Sequence, residues 1–360
     1  MKEKIDPFES LRGIAAIAVA LYHFRCYSLL TDNLFIAHAE LMVDFFFVLS
    51  GFVIAYNYEE RLGSTKELFV FQTKRFWRLY PLHIITLVGF LGIELAKYFF
   101  EQKTGNTSTF PAFSINNTGV FIQHVFMLHA VIGDGRSFNY PSWSISSEFY
   151  TYLIFAILTV YGKKMRWFLF GSLVLISSIW VGGIVQINLD EYPMLRCTFS
   201  FFMGTLSWLI CKKWKQKRQL PGGVPIIFII LSVAAICYLR SPYQRVICPM
   251  LFLGIIVSIY LSKRDSKLWK MLSVKPLVFL GTISYSIYMV HAGFWWVLTQ
   301  IFRFSLKVPT ESIAGKGTYI ILTQPAATTV TIFGIIAIIF ISSLTYRLIE
   351  NPFRRGLPKK

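Results

Sequence analysis

The sequence has few charged residues. Only 15% of its 360 residues are Asp, Glu, Lys or Arg, whereas soluble domains typically have about 25%. Hydrophobic residues make up 55% of the chain, and 34 residues are Phe. Several apolar runs approach or exceed the roughly 20 residues that cross a bilayer as a helix. This composition excludes a soluble globular protein and predicts an all-α, polytopic membrane protein.

Cysteine is also scarce, and other familiar signals are missing. The five cysteines are scattered without CxxC spacing, which indicates neither a disulfide framework nor a zinc site, so we predict no bound metal. No repeat with a period of 20 to 50 residues is visible. Lys2 and Lys4 precede the first apolar run without a convincing cleavage site after it, which favours an uncleaved first helix over a signal peptide.

Acidic residues are few compared with basic ones: the chain has 18 Asp and Glu against 36 Lys and Arg, which gives a net charge of +18. The basic residues concentrate in short loops beside apolar runs, such as "GKKMR", "KKWKQKR" and "SKRDSKLWK". This placement follows the positive-inside rule and marks cytoplasmic loops, so we do not expect nucleic-acid binding. The intervening loops "TDNLFIAHAE", "INLDEY" and 101–140 are neutral or acidic and are predicted to lie outside.

These patterns predict one integral-membrane domain over residues 1–360 with both termini in the cytoplasm. About ten spans are expected, at 11–30, 41–57, 79–99, 144–161, 167–186, 193–211, 223–239, 246–262, 277–302 and 318–346. Loops 212–222 and 263–276 are predicted to be cytoplasmic, and segment 100–142 extracytoplasmic. The apolar run 120–132 is short for a span, so we interpret it as a re-entrant or outer-surface helix.

Charged residues in the first predicted span are the first functional signal. Arg12 and His23 lie eleven positions apart in "ESLRGIAAIAVALYHF". On a helix they share one face, about 20° and 16 Å apart, so a long polar molecule could contact both. Ionisable side chains in a span are functional candidates. The alternatives are a snorkelling Arg12 and a His23 that is hydrogen-bonded in the core.

Two further motifs carry polar residues in or beside spans. In "VDFFFVLSGFVI", Asp44 is placed to orient an imidazole, and Ser50 with Gly51 favours close helix packing. In "KRFWRLYPLH", Arg75 and Arg78 are neighbours on one helical face at the cytoplasmic entrance. They suit a phosphate clamp, although a positive-inside anchor predicts the same residues.

Three later motifs add a buried carboxylate, a second imidazole and a polar helix end. In "YPSWSISSEFYTY", Glu148 lies one turn into a span that begins on the outer side, near Trp143, and it needs a cationic partner. The candidate partners are Arg12, Arg136, Arg196 and a protonated His23. "FLGTISYSIYMVH" places His291 well inside a span. "YRLIENPFRR" contains Tyr346, Arg347 and Glu350 at a helix end. We predict a mainly structural role for these residues, with substrate contact as the alternative.

Six motifs in this order resemble the membrane-bound acyltransferase 3 family over about residues 6–355. Arg12 and His23 match its Arg-x10-His motif, and Arg75 and Arg78 match its Arg-x-x-Arg motif. The resemblance implies O-acyl transfer, usually of acetyl, from acyl-coenzyme A to a hydroxyl of a carbohydrate or lipid-linked glycan, such as an exopolysaccharide or lipopolysaccharide unit. Some members carry a fused esterase-like domain, and we expect this chain to act as a stand-alone membrane domain.

The resemblance and the residues together predict a mechanism in a multi-pass protein of a bacterial plasma membrane. Acyl-coenzyme A, expected to be acetyl-coenzyme A, is a donor substrate, and no permanently bound cofactor is expected. Its phosphates are predicted to bind Arg12, Arg75 and Arg78 at the cytoplasmic face. The thioester then lies near mid-membrane beside His23, which serves as general base or nucleophile.

The other candidate site residues are predicted either to orient His23 or to contact the acceptor. Glu148 or Asp44 is expected to fix the His23 tautomer, with Glu148 at the membrane face opposite the phosphate contacts. Trp143 and His291 are candidate acceptor contacts.

Two other classes of protein fit parts of this pattern. A transporter or flippase of a glycan or anionic metabolite would use many spans and buried charges, but it typically has paired broken helices in two related halves. No internal repeat indicates such halves. A non-enzymatic assembly or sensing protein would be favoured by loss of the motif Arg or His, and both are present.

Overall fold

The computed structural model describes residues 4–105, 111–133, 135–182, 192–214, 219–240, 242–313 and 317–355. Within them the chain folds into α-helices and one short antiparallel hairpin. The helices are α1 Asp6–Tyr22, α2 Leu34–Ala37, α3 Met42–Tyr58, α4 Thr65–Thr104, α5 Thr118–Val125, α6 Trp143–Tyr161, α7 Arg166–Val181, α8 Pro193–Trp214, α9 Val224–Tyr238, α10 Tyr243–Leu261, α11 Lys267–Leu272, α12 Lys275–Thr282, α13 Ser284–Gln300, α14 Gln324–Thr345 and α15 Asn351–Arg355. The strands are β1 Thr310–Ile313 and β2 Gly317–Ile320, with Thr310 opposite Ile320.

The prediction of an all-α polytopic membrane protein is confirmed. Each of the ten predicted spans overlaps a helix. In the described part of the chain, seven helices are long and apolar enough to cross a membrane, and eight if the bent pair α12–α13 counts as one span. The remaining two predicted spans correspond to α1, with 17 residues, and α9, with 15.

Several predicted boundaries are wrong. The first span was placed at 11–30, but α1 ends at Tyr22 and His23 forms its C-cap. The predicted span 277–302 is bent by 67° between α12 and α13. The span 318–346 begins as a helix only at Gln324, because β2 occupies 317–320 and Pro325 starts α14. In segment 120–132, the helix α5 ends at Val125.

Helix α4 is twice as long as the span predicted within it. The Ser64 hydroxyl accepts the Glu67 N–H at 3.3 Å, and the Glu67 carboxylate accepts from Gly63 N–H at 2.8 Å, which caps the first turn. Gly105 ends the helix in the left-handed conformation with φ 67°. Residues 65–78, about four turns ahead of the span predicted at 79–99, also belong to this helix and carry Arg75 and Arg78.

Glycines allow the closest helix contacts. A Cβ on Gly51 of α3 would lie 1.8 Å from the Phe201 carbonyl oxygen of α8, and one on Gly204 would lie 2.0 Å from the Val48 oxygen. The predicted packing role of Gly51 is therefore confirmed. A Cβ on Gly281 of α12 would similarly lie 1.9 Å from the Glu9 oxygen of α1. These contacts hold α1, α3, α8 and α12 around the polar interior.

Two sets of contacts involve loops or helix ends that the charge pattern assigns to opposite sides of the membrane. At one end, Glu59 forms ion pairs with Arg166 at 2.8 Å and Lys212 at 3.1 Å, which joins three basic loops. At the other end, Ile320 N–H donates to the Arg25 carbonyl at 3.0 Å. The assignment of the basic end to the cytoplasm stays a prediction.

Cysteine labelling tests this sidedness. Asn106 and Lys215 lie in the predicted outer and inner loops but outside the described residues, so the exposed Asp32 and Lys66 are better positions. In a background without the five native cysteines, an impermeant maleimide should label Asp32→Cys in intact cells. It should label Lys66→Cys only after the membrane is opened. Labelling of Lys66→Cys in intact cells would invert the proposed orientation.

Candidate active site

Two imidazoles form the centre of the site. His23, at the C-cap of α1, is half-buried, and its Nδ1 lies 2.8 Å from Nε2 of the fully buried His291 of α13. Their rings stack with centroids 5.0 Å apart. His291 contacts His23 directly, and its predicted role as an acceptor contact stays a prediction.

The hydrogen bonds assign the tautomers of the pair. His291 Nδ1 lies 3.1 Å from the Ile287 carbonyl oxygen, which can only accept, so Nδ1 carries the proton. In neutral His291 the Nε2 atom therefore accepts, and His23 Nδ1–H is its donor. This assignment from the network leaves the lone pair of His23 on Nε2. An imidazole in this state can take a proton or attack a carbonyl.

Asp44 is paired with an arginine and does not orient these two histidines. Its carboxylate forms a bidentate ion pair with Arg196 of α8, with nitrogen–oxygen distances of 2.7 to 3.1 Å, and it is 1% exposed. The close α3–α8 contact brings these two side chains together. The expectation that Asp44 orients His23 is therefore wrong, and so is the candidate pairing of Arg196 with Glu148.

Glu148 also has other partners. Its carboxylate accepts a hydrogen bond from the Ser50 hydroxyl at 2.5 Å and another from the Tyr152 hydroxyl. It lines an inner cavity together with Arg12, Arg75 and Arg78. The expectation that Glu148 lies at the face opposite the arginines and beside His23 is wrong, because it shares a cavity with them.

The inner cavity, together with the open solvent at its mouth, encloses about 750 Å³ of empty space. Arg75 donates to the Tyr58 hydroxyl at 3.1 Å and lies 5.4 to 5.8 Å from the ring centres of Tyr58, Phe71 and Tyr152, so aromatic faces hold its guanidinium. Within the described residues, no carboxylate lies within 4.0 Å of Arg75 or Arg78. Both cations are therefore available to an anionic ligand.

A polar opening leads into the inner cavity from the end of the bundle that holds the N-terminus of α1. Arg12, Arg78 and Tyr285 line both spaces. The opening adds two further cations, Lys4 and Arg354. Glu350 is also there, 2% exposed, and accepts from Ser286 at 3.2 Å and Arg354 at 3.3 Å. These contacts support the structural role predicted for Glu350.

An outer cavity begins where the inner one ends. His23, Arg25, Tyr140 and Trp143 line it, together with Tyr288. The Tyr140 ring meets the His23 ring edge-to-face at 5.0 Å. Trp143 has the Arg196 guanidinium 5.4 Å from its ring centre. Trp143, a predicted acceptor contact, thus lies in the same cavity as His23.

Tyr288 and Val43 line both the inner and the outer cavity, so the three spaces adjoin in series. The Tyr288 hydroxyl donates to the Pro141 carbonyl at 2.8 Å and accepts from Ser144 at 2.8 Å. Arg12 lines the first two spaces and His23 the third, so the predicted common face of α1 follows the whole series. Tyr288 was not a candidate, although its position one turn before His291 could have indicated it.

Comparison with known proteins decides the family. A family model described as an acyltransferase domain matches residues 6–347, nearly the whole chain. The chain belongs to the acyltransferase 3 family. It is a multi-pass membrane acyltransferase, and its Arg12, His23, Arg75 and Arg78 line the adjoining cavities described above. No solved structure matches the chain.

Curated relatives of this acyltransferase include acetyltransferases. It is 26% identical to "Putative acetyltransferase ORF330" of Acidianus two-tailed virus, with 81% of this chain and 84% of the relative covered. It is 26% identical to "Peptidoglycan O-acetyltransferase OatA" of Listeria monocytogenes, with 99% of this chain and 56% of the relative covered. It is 24% identical to "Putative peptidoglycan O-acetyltransferase YrhL" of Bacillus subtilis, with 97% of this chain and 55% of the relative covered. The chain thus spans little more than half of the peptidoglycan relatives.

Proposed function

We propose that this acyltransferase transfers an acetyl group from acetyl-coenzyme A to a hydroxyl of a carbohydrate or glycolipid acceptor. The observation that carries the proposal is the series of cavities, which leads from a cationic opening to an imidazole with a free Nε2 lone pair. The relatives named as O-acetyltransferases support the acetyl group and the hydroxyl acceptor.

The donor would enter at the cationic opening. Coenzyme A carries several phosphate charges, and guanidinium groups bind phosphate through short, charge-assisted hydrogen bonds. Arg12, Arg78 and Arg354 surround the opening, and Arg75 lies deeper. The inner cavity continues from this opening along Arg12 and Arg78 to Tyr288, and we assign the pantetheine arm to this path. The thioester would then reach the boundary at Tyr288.

The reaction would take place at His23. Its Nε2 accepts the proton of the acceptor hydroxyl while the oxygen attacks the thioester carbonyl. The new carbon–oxygen bond forms, the carbon–sulfur bond breaks, and the imidazolium returns its proton to the coenzyme A thiolate. His291 Nε2 accepts the His23 Nδ1–H at 2.8 Å and stabilises the positive charge. Attack by His23 itself, with an acyl-imidazole intermediate, uses the same geometry.

The acceptor would bind in the outer cavity. Aromatic rings with polar edges, such as Tyr140 and Trp143, suit a ligand with apolar faces and many hydroxyls. Arg25 and Glu40 add hydrogen-bonding groups. Donor and acceptor would thus approach His23 from opposite ends, which keeps the thioester away from bulk water.

A direct transfer assay tests this proposal. The purified protein is incubated with acetyl-coenzyme A labelled in its acetyl group and with oligosaccharides from bacterial surface glycans. We expect label on a carbohydrate hydroxyl, one thiol released per acetyl transferred, and loss of both in His23→Ala. Bound donor without any transfer to the panel, or transfer that does not need His23, would contradict the proposal. Movement of unmodified glycan across a vesicle would instead favour the flippase.

The variant Glu148→Gln tests how the negative charge of Glu148 in the inner cavity affects donor affinity. Gln can still accept from Ser50 and Tyr152, so the melting temperature should stay near that of the native protein. The donor should bind more tightly, by roughly fivefold or on the order of 1 kcal/mol, because a carboxylate near its phosphates is lost. Glu148→Ala is the control, and it should lose about 1–3 kcal/mol of stability, since the buried Tyr152 hydroxyl and the half-buried Ser50 hydroxyl lose their shared carboxylate acceptor. Lost turnover at unchanged donor affinity would contradict this account.

A further inference from the structure

Three histidines outside the proposed reaction form a buried cluster. His83 lies in α4, His124 near the end of α5 and His129 in the turn that follows. They are 1%, 0% and 1% exposed. One ring nitrogen of each residue lies within 4.8 Å of a ring nitrogen of the other two. The cluster therefore brings together side chains that are 41 and 5 positions apart in sequence.

One nitrogen of each ring is held by an oxygen atom. His83 Nε2 donates to the His124 carbonyl oxygen at 2.9 Å. His124 Nε2 lies 2.9 Å from the Ser137 hydroxyl, and His129 Nε2 lies 3.1 Å from the Ser142 hydroxyl. An oxygen partner on the outer nitrogen is the usual arrangement around metal-binding histidines, because it sets the tautomer and the ring orientation.

The other nitrogen of each ring has no hydrogen-bond partner. Nδ1 of His83, His124 and His129 is buried and unpaired in the described structure. The Gln123 carbonyl oxygen lies beside the His129 ring; it accepts the Leu128 N–H at 2.7 Å and has a second lone pair. Buried polar atoms are rarely left without a partner, so three of them in one cluster require an explanation.

We propose that His83, His124 and His129 bind one divalent transition-metal ion, Zn²⁺ in the first instance, through these Nδ1 atoms. Neutral imidazole is a common ligand of zinc, and three imidazoles leave the fourth tetrahedral position for water. Zinc–nitrogen bonds of about 2.0–2.1 Å place ligand nitrogens about 3.4 Å apart. The three rings now lie within 5–11° of parallel, with centroids 3.7 to 5.9 Å apart, so they would have to rotate out of this stack for their lone pairs to meet at one ion.

The ion would have a structural effect on the outer cavity. It would join α4 to residues 118–142, and that segment reaches the wall of the cavity at Tyr140. The Ser142 hydroxyl contacts His129, and the same segment leads directly into α6. Ser146 of α6 also donates to the Met127 carbonyl at 2.5 Å. The proposal stands independently of acyl transfer, since it depends only on the three imidazoles and their partners.

Metal analysis of the full chain tests the site. The protein carries a tag without histidine and is purified in detergent without chelator, and bound metal is measured by mass spectrometry. We expect about one zinc per chain, and a clear loss in His124→Ala/His129→Ala. The sixth histidine, His38, supplies the control, because His38→Ala should retain the zinc. Equal zinc in the native protein and the double variant would overturn the proposal.

A second measurement covers the case in which the double variant does not fold. Ser137→Ala removes only the oxygen partner of His124, so zinc affinity should fall roughly 10–100-fold while the fold is kept. In the native protein, removal of the metal should lower the melting temperature, and ZnCl₂ should restore it. No zinc-dependent change in the native melting temperature, together with zinc content far below one per chain, would mean that the cluster holds no metal.

Discussion

Replacing His23 with alanine is expected to abolish acyl transfer while the protein remains folded in the membrane. The Nε2 lone pair of His23 is the group in the outer cavity that we assign to the proton transfer, and general base catalysis typically contributes about 10²- to 10⁴-fold. This corresponds to about 2.7 to 5.5 kcal/mol of barrier. Turnover of labelled acetyl-coenzyme A by the purified variant measures the loss, and donor binding should be retained.

The variant His291→Ala distinguishes the roles of the two imidazoles. Without His291, Nδ1 of His23 loses its acceptor, and the tautomer with a free Nε2 is no longer favoured. We expect an intermediate loss of roughly 10- to 100-fold, or about 1.4 to 2.7 kcal/mol. His38→Ala, outside both clusters, should leave turnover unchanged. Near-normal turnover in His23→Ala would exclude the mechanism, and a larger loss in His291→Ala than in His23→Ala would make His291 the reacting group.

The membrane class and the helices could be predicted because they depend on local composition. An apolar run of about 20 residues forms a helix in lipid whatever its neighbours are, since its backbone must satisfy its own hydrogen bonds. The same reasoning could not find the end of α1 at Tyr22. That end depends on residues 25 and 26 meeting Ile320 near the other end of the sequence.

The pairing of charged residues was the weakest part of the sequence prediction. Asp44 and Glu148 both had to find partners, and the sequence offers several cations at comparable depth. The choice depends on helix packing: the Gly51–Gly204 contact sets α3 against α8 and places Arg196 beside Asp44. Glu148 faces the arginines because α6 packs against α4. Neither contact leaves a local pattern in the sequence.

Among the histidines, too, some relations could be predicted from sequence spacing and others depend on helix packing. The spacing of Arg12 and His23 on one helix could be converted into a shared face, and the cavities follow that face. The contact between His23 and His291 joins residues 268 positions apart, so it depends on the packing of α1 against α13. His83 attracted no hypothesis, because its partners lie on a different segment and only the fold brings the three rings together.

The double variant Arg75→Gln/Arg78→Gln is expected to lose most of its affinity for acetyl-coenzyme A. Hydrogen bonds to charged groups contribute about 1.5–3 kcal/mol each, so the loss of two such residues should raise the donor Kd by about a hundredfold or more. Calorimetry on the detergent-solubilised protein measures this Kd. Acceptor affinity should change little, because the proposed acceptor contacts lie in the outer cavity beyond Tyr288.

Two controls distinguish a phosphate site from a general effect of charge. Arg61→Gln removes an exposed cation from the same basic stretch, outside the three cavities, and should leave the donor Kd unchanged. Acetyl-pantetheine has the thioester arm without the nucleotide phosphates, so the native protein and the double variant should bind it equally. Unchanged affinity for acetyl-coenzyme A in the double variant would make Arg75 and Arg78 membrane-surface anchors. The donor phosphates would then have to bind at the opening, where Arg12, Arg354 and Lys4 remain.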